Sequence, residues 1–209
     1  MKIIPYGIEL GCGKGAFITE LAKRNPDKNY LAAESNKNVA VTAAERVMAS
    51  INTDEPINNI RLFVGGAERL GDYVKPGSIS RIYINHPDPW PRRNHEKRRL
   101  SYQSYVHMYW NLLCDDGKVI FKTDNRPLFD YSISSFKDNG FDLTDVTYDL
   151  VNSKYYDSDI ISEYQAYFIS KGLPIHRFTA VKLPEFVFRD DIDRDFVTIP
   201  KIKERNPDK

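Results

Sequence analysis

Cysteine and histidine are scarce in this 209-residue chain, which has two of the former, Cys12 and Cys114, and four of the latter, His86, His95, His107 and His176. Two cysteines build no disulfide framework, and neither stands in a pair at metal-ligand spacing. The histidines make no zinc-binding pattern with an acidic residue or with cysteine, so no metal is expected. Long apolar runs are missing too. No window approaches the roughly 18 consecutive apolar residues of a membrane span, and Met1-Lys2-Ile3-Ile4-Pro5-Tyr6 lacks the apolar core and small-residue cleavage site of a signal peptide. An excess of either charge is also absent, since 30 Lys and Arg stand against 29 Asp and Glu, a net +1. These absences leave the expectation of a reduced, cytoplasmic protein without a membrane partner. The chain is long enough for one well-buried core, and 41% hydrophobic with 28% charged residues is ordinary for a globular domain.

Short apolar runs alternate with amphipathic stretches as far as about residue 140, the pattern of repeated strand and helix units on a largely parallel sheet. Residues 7–11, 30–34, 60–64, 79–85 and 118–123 read as strands, and residues 15–23, 39–51, 105–113 and 129–136 as helices. Asp115-Asp116-Gly117 reads as a turn and Asn139-Gly140 as a helix stop. Beyond residue 140 the sequence becomes rich in Tyr and Asp, with apolar content returning in 164–169 and 178–183. The charged stretch from Pro184 to Lys209 is open between packing on the sheet and hanging free.

The first strand runs into Glu9-Leu10-Gly11-Cys12-Gly13-Lys14-Gly15, three alternate glycines between a strand and a helix. Glycine there permits a sharp turn and lets a ligand approach the main chain. Glu34 closes the second strand 23 positions after Gly11, where a carboxylate can accept hydrogen bonds from both ribose hydroxyls of an adenosine ligand. With Ala16 the run also fits the dinucleotide pattern, so a nicotinamide or flavin enzyme competes with an S-adenosylmethionine enzyme. Glu9 separates the two. An acidic side chain inside a strand is costly to bury without a cationic partner, and the ammonium and sulfonium of S-adenosylmethionine provide one.

The most concentrated signal is Pro87-Asp88-Pro89-Trp90-Pro91 followed by Arg92, Arg93, Asn94, His95, Glu96, Lys97, Arg98 and Arg99. Prolines on either side of Asp88 restrict the backbone and aim its carboxylate. Five basic side chains against Glu96 give the tail a local charge of +4, which points to a polyanionic partner. Trp90 is open between stacking on a base and anchoring the turn. Glu9, Glu34, Asp88 and Asp124 all fall at or near strand ends, which in an open α/β sheet face one crevice.

Glu9-x-Gly11-x-Gly13-x-Gly15, the Pro87–Pro91 turn with its basic tail, Thr123-Asp124 and Ser162-Glu163-Tyr164-Gln165 together resemble the bacterial tRNA (guanine-N7)-methyltransferases, over about residues 8–182. The resemblance implies an α/β fold: a doubly wound, mostly parallel Rossmann-like methyltransferase sheet with helices on both faces and an antiparallel C-terminal strand. Residues 1–182 would form the S-adenosylmethionine-dependent domain and 183–209 a tail without an assigned role. It implies methyl transfer from S-adenosylmethionine to N7 of the guanine at position 46 in the tRNA variable loop, by a monomer or homodimer. Glu9, Gly11, Gly13, Glu34, Gly66, Ala67 and Asp88 would then meet the cofactor, with Asp88 the catalytic carboxylate. Arg92, Asp124, Ser162 and Gln165 would meet the substrate, and Asn94, His95, Lys97, Arg98 and Arg99 the RNA. The chain departs from the family at Gly66, Asn94 and Gln165, where an acid or amide, an arginine and a glutamate are usual, and it lacks the usual N-terminal arm. Those departures keep a second reading open, an RNA-binding homologue that has lost catalytic power.

Guanine N7 presents a lone pair and carries no proton. Alignment and stabilisation of the positive charge that moves onto the purine therefore matter more than a base.

Overall fold

Each of the five apolar runs becomes a strand in the computed structural model, which describes residues 6–188. In chain order the elements are β1 (Gly7–Leu10), α1 (Ala16–Arg24), β2 (Tyr30–Glu34), α2 (Lys37–Ile51), β3 (Ile60–Val64), a 3-10 turn (Ala67–Arg69), α3 (Leu70–Tyr73), β4 (Ile79–Asn85), a 3-10 segment (Arg93–Arg98), α4 (Gln103–Leu112), β5 (Leu113–Thr123), α5 (Arg126–Asp138), β6 (Phe141–Thr147), α6 (Glu163–Ser170) and β7 (His176–Lys182). The seven strands form one sheet in the order β3-β2-β1-β4-β5-β7-β6. The first five run parallel, and β7 is antiparallel to both β5 and β6.

Alternation along the strands decides which side chains each face receives. Leu31 and Ala33 enter the core under α4 and α5, with Val106, Tyr109, Leu112, Phe129 and Phe136. Their neighbours Tyr30 and Ala32 join Phe17, Ile18 and Leu21 of α1 and Ala43 of α2 on the other face. Both faces are therefore covered, as continuous apolar parallel strands require. The chain builds outward through β2 and β3, then returns to place β4 on the other side of β1, and this reversal opens a crevice at the carboxyl ends of β1 and β4.

The expected elements shift where local signals were passed over. α5 starts at Arg126 rather than 129, because the Asn125 side chain accepts from the Leu128 N–H at 2.9 Å and Pro127 occupies the first turn. The expected turn at 115–117 is a bulge inside a longer β5. Ile79 stands opposite Leu113 and Arg81 opposite Lys118, so four residues loop out against one. β6 is an edge strand with only alternate residues covered, and its pattern is too diluted by Asp142 and Asp145 to stand out in sequence. Beyond β7 the chain touches the domain: Phe188 stacks on His107 at 3.6 Å and the Trp110 indole donates to Leu183 O at 2.9 Å. The rest of the tail, from residue 189, lies outside the described residues.

Lys122 of β5 is 1% exposed, and its ammonium donates to both Asp159 oxygens (2.9 and 3.1 Å), Ile160 O (3.1 Å) and Gln165 Oε1 (2.9 Å). Burial lowers its pKa, and the facing Asp159 carboxylate works against that shift. Removing one partner from such a pair strands the other charge in the interior. Lys122→Ala should therefore lose about 3–5 kcal/mol of unfolding free energy in urea titrations, whereas Lys137→Ala on the exposed face of α5 should stay within about 0.5 kcal/mol.

Candidate active site

The glycine turn is held by the carboxylate it was expected to accompany. Gly11, Gly13 and Gly15 all have left-handed φ (68°, 56° and 78°), which a side-chain-bearing residue would strain to adopt. Glu34 accepts from the Gly13 N–H at 3.0 Å with one oxygen and from the Asn36 N–H at 2.8 Å with the other. Its oxygens keep further lone pairs for a ligand, since an ionised carboxylate accepts about four hydrogen bonds. Glu9 sits one strand away and is 2% exposed. Burial pushes its pKa up to about 8, against the pull of a hydrogen bond from Asn85 Nδ2 (3.0 Å) and of the Lys122 charge.

Asp88 is carried by a turn bracketed by two strained residues. His86 and Trp90 have φ of 50° and 41°, a left-handed conformation uncommon outside glycine. The turn is pinned from both sides. The His86 N–H donates to Lys122 O at 2.7 Å, and Arg99 donates to Trp90 O from Nε (3.3 Å) and Nη2 (3.1 Å). Asp88 itself is exposed and faces the crevice. Asp124 lies behind His86, with Oδ1 3.1 Å from the ring Nδ1. Partial burial pushes the Asp124 carboxyl up, but the His86 hydrogen bond and its own backbone N–H hold it below the usual range.

The expected RNA residues divide into two groups. Arg92, just before the 3-10 segment, and Arg93, Asn94, Lys97 and Arg98 on it are exposed, and Arg98 lies 4.9 Å over the Trp90 ring. His95 meets Trp90 edge to face at 5.6 Å, and Arg99 lies 4.4 Å over Tyr131 while holding Trp90 O. Trp90 thus serves as the hub of the turn. In the Ser162–Gln165 segment, Ser162 lines the crevice and caps α6 by accepting from the Gln165 N–H at 3.1 Å. Gln165 is 0% exposed, bonded to Lys122 and, through Nε2 at 2.7 Å, to Asp159. Glu163 pairs with Arg46, tying α6 to α2.

The crevice has two lobes that share Gly11, Asn85 and His86. One, of about 480 Å³, is lined by Glu9, Gly13, Phe17, Ser162 and Tyr164. The other, of about 550 Å³, is lined by Glu34, Gly66, Ala67, Glu68, Asp88 and Trp90. Glu9 Oε2, Asn85 Oδ1 and His86 Nε2 are buried without a hydrogen-bond partner. Buried polar atoms normally find partners; Asn85 Oδ1 can only accept, and so can Glu9 Oε2 once a cation beside it favours the ionised carboxylate. They suit an ammonium or sulfonium at the Glu9 end of an adenosyl ligand whose ribose lies by Glu34. Sequence reading passed over Asn85 and His86. Their place at the end of β4, beside the strand-order reversal, was the signal that could have found them.

A nucleotide-type crevice whose inner end offers acceptors to a cation fits a methyltransferase that uses S-adenosylmethionine. A family model described as putative methyltransferase matches residues 4–178. A tRNA (guanine-N(7)-)-methyltransferase of Bacillus subtilis (strain 168) is 43% identical over 173 residues, 83% of this chain and 78% of that protein. Another, of Streptococcus sanguinis (strain SK36), is 43% identical over 176 residues, 84% and 80% respectively. The chain belongs to this family. The fold also matches the 16S rRNA methyltransferase KamB, with a TM-score of 0.63 at 12% identity, covering 85% of this chain and 87% of that one.

Glu9 makes stability pH-dependent. Its folded pKa of about 8 lies above its ordinary value of 4.5, so between those limits the folded state holds a proton that the unfolded state has released. Its contribution to stability therefore falls as pH rises through that window and is level outside it. The ligand-free protein should lose roughly 3–4 kcal/mol more than a Glu9→Gln variant between pH 5 and pH 8, read from paired denaturation curves.

Proposed function

We propose that this chain transfers the methyl group of S-adenosylmethionine to N7 of a guanine in tRNA, and that the guanine is at position 46. The observation that carries this reading is the continuity of the site. The acceptors Glu9, Asn85 and His86, the Glu34 carboxylate and the pinned Asp88 turn line one crevice, and the exposed basic segment begins at the next residues of the chain. Bound S-adenosylmethionine supplies an electrophilic methyl group on a sulfonium. Glu9, Asn85 and His86 hold its cationic end, and Glu34 with the Gly66 and Ala67 backbone holds its nucleoside. Asp88, with Asp124 behind it, accepts from the N1–H and N2–H edge of the guanine and stabilises the positive charge that develops on the ring. No base is needed at N7. Arg92, Arg93 and Lys97 hold the phosphate backbone. No helix among the described residues is long and apolar enough to cross a membrane, and the cytoplasm, where tRNA is used, is the compartment we infer.

Incubation with labelled S-adenosylmethionine and unmodified bulk tRNA should yield labelled 7-methylguanosine, and a tRNA transcript with adenine at position 46 should remain unlabelled. Cofactor and tRNA binding without label would favour the weakened RNA-binding homologue instead.

Asp88→Ala should lower kcat about 10²–10³-fold with cofactor Kd nearly unchanged. A variant that kept its rate but bound the cofactor poorly would move Asp88 to a binding role. Arg92→Ala and Arg93→Ala should each reduce the salt slope of tRNA binding by about one. Arg99→Ala should lower turnover with little change in that slope, because its guanidinium is engaged by Trp90 O and Tyr131.

A further inference from the structure

We infer that Glu68 selects the adenine base of the cofactor, its carboxylate standing in the space that a side chain at residue 66 would otherwise fill. The inference rests on S-adenosylmethionine occupying the crevice.

Gly66 has φ −70° and ψ 147°, an extended conformation open to any residue. Glycine is therefore not demanded there by the backbone. What glycine leaves open is space, which the Glu68 side chain enters: a Cβ at residue 66 would come within 2.0 and 2.1 Å of its two carboxylate oxygens, and the flexible end of Glu68 would have to move aside. The 3-10 turn over Ala67–Arg69, closed by the Arg69 N–H on Gly66 O at 3.2 Å, folds Glu68 back over the end of β3. The Tyr105 hydroxyl of α4 hydrogen-bonds to the same carboxylate. Glu68 and Tyr105 line the lobe that also contains Glu34, Gly66 and Ala67.

With the ribose at Glu34, the base lies toward Gly66 and Ala67. A carboxylate there can only accept hydrogen bonds. Of the groups on a purine edge it favours the exocyclic amine of adenine and opposes a carbonyl oxygen at the same position. Discrimination between bases of equal size then comes from a mismatch of acceptor against acceptor, the kind of unpaired contact that rejects an analogue strongly.

The test is equilibrium binding by calorimetry of S-adenosylhomocysteine and of S-inosylhomocysteine, in which a carbonyl replaces the amine. The wild-type protein should prefer the adenosyl compound roughly 10- to 100-fold. Glu68→Gln, whose amide can turn to donate, should reduce that preference to within a few-fold, and Glu68→Ala should weaken adenosyl binding. Gly66→Asp combined with Glu68→Ala should restore the preference by placing a carboxylate in the vacated space. An unchanged preference in both Glu68 variants would overturn the inference while leaving the cofactor assignment intact. Failure of the wild-type protein to bind S-adenosylhomocysteine would overturn both.

Discussion

The buried ammonium of Lys122 is the constraint from which the site follows. It reaches from the centre of the sheet to Asp159, Ile160 and Gln165, and so fixes the segment that carries Ser162 and Tyr164 over the crevice. Its main-chain oxygen takes the His86 N–H and helps hold the turn that presents Asp88. Its charge also lies close enough to Glu9 to oppose the cost of burying that carboxylate. A desolvated ion pair contributes little net stability unless every donor finds an acceptor. Here every donor does, and the return is positional: two walls of one crevice are tied to a single strand residue.

Within that frame the crevice is divided by chemistry. One end keeps buried polar atoms unpartnered at Glu9, Asn85 and His86, a local cost that a ligand with donors and positive charge would relieve. The other end is satisfied internally, with Glu34 bracing the glycine turn and Glu68 braced by Tyr105. The strained backbone at His86 and Trp90 lies between them, beside the carboxylate assigned to the reacting base. Strain persists at such places because the surroundings over-determine it. Arg99, His95 and Arg98 all converge on Trp90, so part of the basic tail shapes the turn and part faces solvent.

Much of this was legible in residues 7–124. Five short apolar runs separated by helical spacing specify a parallel sheet, because each run is too short to bury itself in any other way. The alternate glycines, Glu34 and the proline-framed Asp88 could be placed at strand ends from order along the chain alone. Later elements were less legible. β6 has only one buried face and depends on β7 for pairing, so its signal is long-range. The α5 start at Asn125 and Pro127 was present in the sequence, as a capping signal rather than an apolar one.

By itself, the sequence determined the fold class, the glycine turn, the proline-framed carboxylate and the basic tail, since each is written in local residue order. Only the tertiary structure decided which charges are working surfaces and which are internal braces. Gln165 and Arg99 are polar residues in functional segments, yet one is buried against Lys122 and the other is engaged with Trp90. Glu68 stands in no motif of the sequence, and only the fold sets its carboxylate in the space beside Gly66. The physical reason is that burial and hydrogen-bond partnership are set by residues distant in the chain, and no local pattern encodes them.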